Sequence, residues 1–143
     1  MYSDGLGGAP YAERFDAAAI QRYRALGIDR DDPDRPRNVA ALNTDAFGAS
    51  VVLFCYPDPV VGLGQRADAG RYLQTITLLL RAEGLHSCTH LMWTMYRRTV
   101  SDVVAVEGLV LLCGVAVGYE DEAVPRLRTA RADDAETVAF VGS

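Results

Sequence analysis

The residues best equipped for chemistry stand together in Gly-Leu-His-Ser-Cys-Thr-His-Leu-Met-Trp, positions 84–93. His86 and His90 are the only histidines, and with Cys88 they alternate, so an extended backbone turns all three to one side. Imidazole and thiolate are common zinc ligands, but a closed zinc site takes four. The nearest carboxylates, Glu83 and Asp102, sit on expected helix surfaces without ligand-like spacing. Three readings stay open for the segment: a metal site, the wall of a cofactor pocket, or a structural turn.

Other chemistry is narrowed by what the chain contains. All 14 basic residues are arginine, so Schiff-base and P-loop chemistry lack their usual lysine. Any phosphate must be met by arginine or by backbone amides. Val-Gly-Leu-Gly-Gln at 61–65 holds a G-x-G without the third glycine and follows a turn instead of a strand, which argues against a dinucleotide fingerprint. No paired carboxylates or nucleophile triad stand out.

The elements that must position these residues belong to one expected domain over 1–143, half hydrophobic and long enough to bury a core. A formal charge of −5 gives no basic footprint for nucleic acid or an anionic membrane. Three widely spaced cysteines fit neither a secreted disulfide framework nor a C-x-x-C site, and the expected setting is a reduced cytoplasm. No apolar run approaches the roughly 20 residues of a membrane span, and the N-terminus does not read as a signal peptide.

Pro10 before and Gly27 after residues 11–26 bracket a helix. A charged, proline-bearing loop then leads to a short helix ending near Asn43. Ser-Val-Val-Leu-Phe-Cys-Tyr, 50–56, predicts a buried strand, with Cys55 as a small core residue. Residues 66–83 carry Ala69, Tyr72, Leu73, Ile76, Leu79 and Leu80 at helical spacing, and Gly84 suits the C-terminal cap. That apolar face is wider than a surface helix needs, so it is expected at an interface or the domain centre. Further expectations are a helix over 94–104, a central strand over 108–117 that buries Cys113, and a polar arm ending in a short strand, Thr-Val-Ala-Phe-Val at 137–141. The order predicts an α+β or α/β layered architecture.

In this order, "RFDAAAIQRYRALGIDRDD", "FGAS", "ADAGRYLQTITLLLRAEGLHSC", "LLCGVAVGYED" and "RLRTARADDAETVAFVG" resemble the C-terminal two-thirds of the FMN-dependent nitroreductase family, especially its nitrobenzene and nitrobenzoate reductase branch. The resemblance implies a mostly antiparallel central sheet flanked by helices, with the C-terminal arm exchanged across a homodimer. It also implies that the family's N-terminal part is missing, whether in a shortened member, a mis-started reading frame or a fragment, because the family's Arg-Ser-Arg phosphate segment and Pro-Ser-x-x-Asn segment have no counterpart.

The implied activity is an NAD(P)H-dependent, FMN-carrying oxidoreductase that reduces a nitroaromatic, quinone or similar acceptor by ping-pong hydride transfer. A non-catalytic dimerisation or interaction subunit is the alternative. The family segment matching Ser87, Cys88, Thr89, His90 and Leu91 runs beside the isoalloxazine ring, which makes these five the expected flavin contacts. Thr89 stands where the branch has proline and adds an N–H; His90 stands where it has glutamine. The family's arm presents basic residues to the flavin phosphate, which here implicates Arg131 first and Arg128 second. A solvated cluster of mixed charge is the other reading of Arg-Thr-Ala-Arg-Ala-Asp-Asp.

Overall fold

The computed structural model describes residues 8, 10–29, 31–60, 62–124 and 127–141. Their order is α1 (Tyr11–Ala25), α2 (Arg35–Thr44), a 3-10 turn (Ala46–Gly48), β1 (Val51–Cys55), α3 (Leu63–Ala82), β2 (His86–His90), a second 3-10 turn (Met92–Tyr96), α4 (Arg97–Val104), β3 (Cys113–Gly118) and α5 (Asp134–Thr137). They fall into two compact units, one drawn from Met1–Arg35 and Glu122–Ser143, the other Pro36–Asp121.

In the larger unit β3 lies between β1 and β2, and both pairings are antiparallel, which is the expected α+β arrangement. Cross-strand partners share a face of the sheet. One face carries Cys113, Val115 and Val117 with Val51, Leu53 and Cys55 on one side and Ser87 and Thr89 on the other. Leu73 and Leu80 of α3 pack on this face with Leu85 and Leu112, and Cys113 and Val115 are each 1% exposed. The opposite face carries Gly114, Ala116 and Gly118 beside Val52, Phe54, His86, Cys88 and His90.

α3 begins three residues before the expected start because the Gln65 side chain accepts the Gly62 N–H at 3.1 Å and satisfies a helix-end donor. Gly84, at φ 79°, ends it: the left-handed turn lets the Leu85 N–H reach the Leu80 carbonyl at 2.9 Å and sends the chain straight into β2. Leu73, Ile76 and Leu80 are half-buried, while Tyr72, Leu78 and Leu79 are exposed.

The structure corrects several expectations. The strand at 50–56 is not buried: β1 is an edge, with Val51 and Leu53 exposed. The strand expected over 108–117 starts only at Cys113. Before it, Leu112 donates to the Cys55 carbonyl and Val110 to the Pro57 carbonyl, one residue out of the Cys55–Cys113 register. That slip is a β-bulge, which keeps the pairing but ends the regular ladder. The segment 86–90 is itself a strand, missed because its polar residues lack strand patterning. In 137–141 no strand forms; Thr137 closes α5, and Phe140 and Val141 are almost fully exposed. Apolar β-formers need a partner strand to become one.

In the smaller unit α5 is capped by Asp133, whose carboxylate accepts the Ala135 N–H at 2.9 Å. Arg14 of α1 meets Glu136 of α5 at 2.5 Å, so the arm and the first helix are joined by an ion pair. The guanidinium groups of Arg22 and Arg35 each lie 5.4 Å from the Tyr23 ring centre.

Candidate functional site

β2 places the chemistry-bearing residues. Its alternation does turn His86, Cys88 and His90 to one face, as the sequence suggests. Yet a strand advances about 3.3 Å per residue, so the two histidines stand roughly 13 Å apart along it and cannot share one ion. Among the described residues no group of three or more His, Cys, Asp or Glu side chains is placed to hold a metal.

The two histidines have separate environments. His86 Nε2 lies 3.2 Å from Glu120 Oε2, and its Nδ1 lies 3.3 Å from the Glu120 N–H. One tautomer serves both contacts: Nε2–H donates to the carboxylate while Nδ1 accepts from the backbone. Arg81 Nη1 stands 2.7 Å from Nε2 and donates to it only in the other tautomer, so Arg81 and the Glu120 carboxylate compete for that nitrogen.

His90 is 3% exposed, and neither ring nitrogen has a hydrogen-bond partner; Trp93 Nε1, also buried, has none either. Burial holds the His90 imidazole below the ordinary histidine pKa, opposed by the nearby Asn43 backbone. The Phe47 ring meets it edge-on with centroids 5.1 Å apart. His90 therefore offers solvent no side chain.

What β2 does offer is backbone. Because the Cys55 carbonyl faces β3, backbone alternation turns Cys113, Val115 and Val117 toward β1 and Gly114, Ala116 and Gly118 toward β2. His86, Cys88 and His90 then share the ladder with β3. The N–H groups of Ser87 and Thr89 point to the outer edge of β2, which no described strand covers. Cys88, Thr89 and Leu91 are exposed beside this edge. The Leu91 carbonyl accepts both the Thr94 N–H at 3.1 Å and the Thr94 hydroxyl at 2.7 Å, which holds the turn after β2. Such amides suit an anionic ring edge, since they donate without titrating.

Arg128 and Arg131 belong to the smaller unit and are exposed. Arg131 Nη1 is turned back on its own arm, to the Thr129 carbonyl at 3.1 Å, the Thr129 hydroxyl and the Ala130 carbonyl at 3.4 Å.

Sequence reasoning missed the strained turn under His90. Ala46 and Phe47 have φ 50° and 55°, a left-handed conformation uncommon outside glycine. Phe-Gly-Ala-Ser gives only Gly48 as a signal for it. The close seat of Trp93 on Gly114 was missed as well: a Cβ on Gly114 would lie 2.6 Å from Trp93 Cδ1.

No family model matches the chain. It is 32% identical over 141 residues to the nitroreductase NfnB of Mycolicibacterium smegmatis (strain ATCC 700084 / mc(2)155), covering 97% of this chain and 60% of that protein. Identity to the 4-nitrobenzoate reductase of Nocardioides sp. (strain LMS-CY) is 33% over 118 residues, 81% of this chain and 48% of that one. The crystal structure of the FMN- and NADPH-dependent nitroreductase NfnB from Sphigopyxis sp. strain HMH superposes with a TM-score of 0.93 at 34% identity, covering 100% of this chain and 65% of that chain. The chain thus spans less than two thirds of the length of these relatives.

Proposed function

Because this chain belongs to the nitroreductase family over the part of the fold that it spans, we propose that it acts as an FMN-dependent oxidoreductase that reduces a nitroaromatic, quinone or similar acceptor with NAD(P)H. The observation that carries this reading is the open edge of β2, where the outward N–H groups of Ser87 and Thr89 stand beside exposed Cys88 and Leu91. FMN, when bound, supplies the two-electron carrier between hydride donor and acceptor.

In this reading the protein's own residues bind and orient. The amides of β2 and the Leu91 turn hold the electron-rich edge of the ring, and the buried His90 seats that turn instead of touching the ligand. Arg131, and Arg128 after it, meet the phosphate. For Arg131 this requires release from Thr129 and Ala130, a change that costs little on an exposed arm. The two units are parts of one domain, and the arm of one copy crosses to a second in a homodimer; the exposed Val138, Phe140 and Val141 are the residues that such a crossing would cover. Free cysteines suit the cytoplasm. Among the described residues no helix is long and apolar enough to cross a membrane.

Titration of FMN into the 143-residue chain, followed by flavin fluorescence, tests the reading. A charge-assisted hydrogen bond contributes about 1.5–3 kcal/mol, so Arg131→Ala should weaken binding at least about tenfold. Sub-micromolar binding indifferent to Arg131→Ala would overturn the phosphate assignment. No binding at any concentration would favour the non-catalytic interaction subunit.

A further inference from the structure

Cys55 and Cys113 are direct partners across the β1–β3 ladder, and both are free thiols on the face covered by α3. We propose that they form a reversible disulfide, a modification site that ties β1 to β3 when the protein meets a hydroperoxide. The reading is independent of flavin binding and concerns the larger unit alone.

Geometry is the first support. Opposed residues of an antiparallel pair have Cα atoms about 4.5 or 5.5 Å apart, and disulfides form at about 4.4–6.8 Å. Their Cβ atoms, at about 4.5–5.5 Å, lie at or beyond the upper limit of the disulfide range of about 3.5–4.5 Å, so closure must draw the strands together. The bulge at Leu112 and Cys113 gives that end of the ladder some freedom. A bond closed under strain is readily reduced, which makes the link reversible. The thiols already interact, each altering the other's proton affinity.

Access is the second support, and it divides the roles. Cys55 is half-buried and lines an apolar cleft of about 410 Å³ beside Tyr56, Tyr72 and Ile76. Cys113 is sealed at 1% exposure. Cys88 pairs with Ala116 on the opposite face of the sheet, so it cannot compete within one molecule. The Cys55 thiolate attacks a peroxide oxygen, the O–O bond breaks, and hydroxide leaves to become water. The resulting sulfenic acid is attacked by the Cys113 sulfur; the S–O bond breaks and a second water departs with the Cys113 proton. Two thiols thereby lose two electrons and hydrogen peroxide gains them. Burial pushes both thiols up, Cys113 to about 11, so the reaction is slow at neutral pH and quickens as pH rises.

The test is oxidation of the native chain with hydrogen peroxide, then denaturing alkylation and peptide mapping, with no FMN present. The expected result is a peptide pair linked through Cys55 and Cys113, with Cys88 the one alkylated thiol of the three. The link should be undone by dithiothreitol and should form faster at pH 9 than at pH 7. Cys55→Ser should abolish it; because wild-type mapping reads the link directly, a poorly folding variant would not blur the outcome. Retention of all three thiols, oxidation confined to Cys88, or a link from Cys88 to either partner would each overturn the proposal.

Discussion

The two faces of the sheet are built on opposite principles. Under α3 the surface is aliphatic: Cys113, Val115 and Val117 stand up from β3 and Leu73 and Leu80 come down on them. On the other face β3 presents Gly114, Ala116 and Gly118, and the space is filled from outside by Trp93, Phe54, Phe47 and the buried His90. The first face asks only for apolar volume, which many sequences supply. The second depends on a missing methyl group, on two residues in left-handed conformation and on polar atoms buried without partners. Such local violations cluster where a protein places function, and this face backs the strand proposed to meet the flavin.

The sharpest way to break the comparison is to add one methyl group. Gly114→Ala puts a Cβ 2.6 Å from Trp93 Cδ1 and 3.3 Å from Phe54 Cε1, so it should destabilise by about 3 kcal/mol, the upper end for overpacking. Denaturant unfolding reads the loss, and Trp93→Leu in the same chain should recover part of it. Removing volume one residue along should cost less: Val115→Ala, on the α3 face, should lower stability by about 2 kcal/mol through lost burial and a small cavity. A larger loss at Val115 than at Gly114 would show that the glycine face is not the tighter one.

The smallest effect is a pH dependence. Burial depresses the His90 pKa, so the folded protein takes up that proton less readily than the unfolded chain. The associated stability is fully present above the ordinary histidine value of about 6.5 and falls below it, by at most about 1.4 kcal/mol per pH unit. Urea midpoints at pH 7 and pH 5 measure the drop. His90→Leu should flatten it and add about 1 kcal/mol at neutral pH, because two unpartnered nitrogens leave the interior. An unchanged slope in that variant would assign the drop to other groups.

α1 and α3 were legible to within a few residues, because apolar spacing, Pro10, Gly27 and Gly84 are local signals. The ordered pieces from 14 onward carried the family in the same way. β2 was not legible, since His-Ser-Cys-Thr-His has no hydrophobic alternation and becomes a strand only by pairing with β3. Val138–Val141 show the reverse: strong strand formers that find no ladder among the described residues.

The sequence by itself determined the four longer helices, that three cysteines and two histidines are the reactive inventory, and that His86, Cys88 and His90 would share a side if extended. Tertiary structure alone decided that His90 is buried while Cys88 and Thr89 are exposed, that Gly114 is the seat of Trp93, and that Cys55 opposes Cys113. The physical reason is the range of the interactions. Helix periodicity and caps act within a few residues of themselves, whereas a cross-strand neighbour depends on the register between segments far apart in the chain, and a one-residue slip like that at Leu112 changes it.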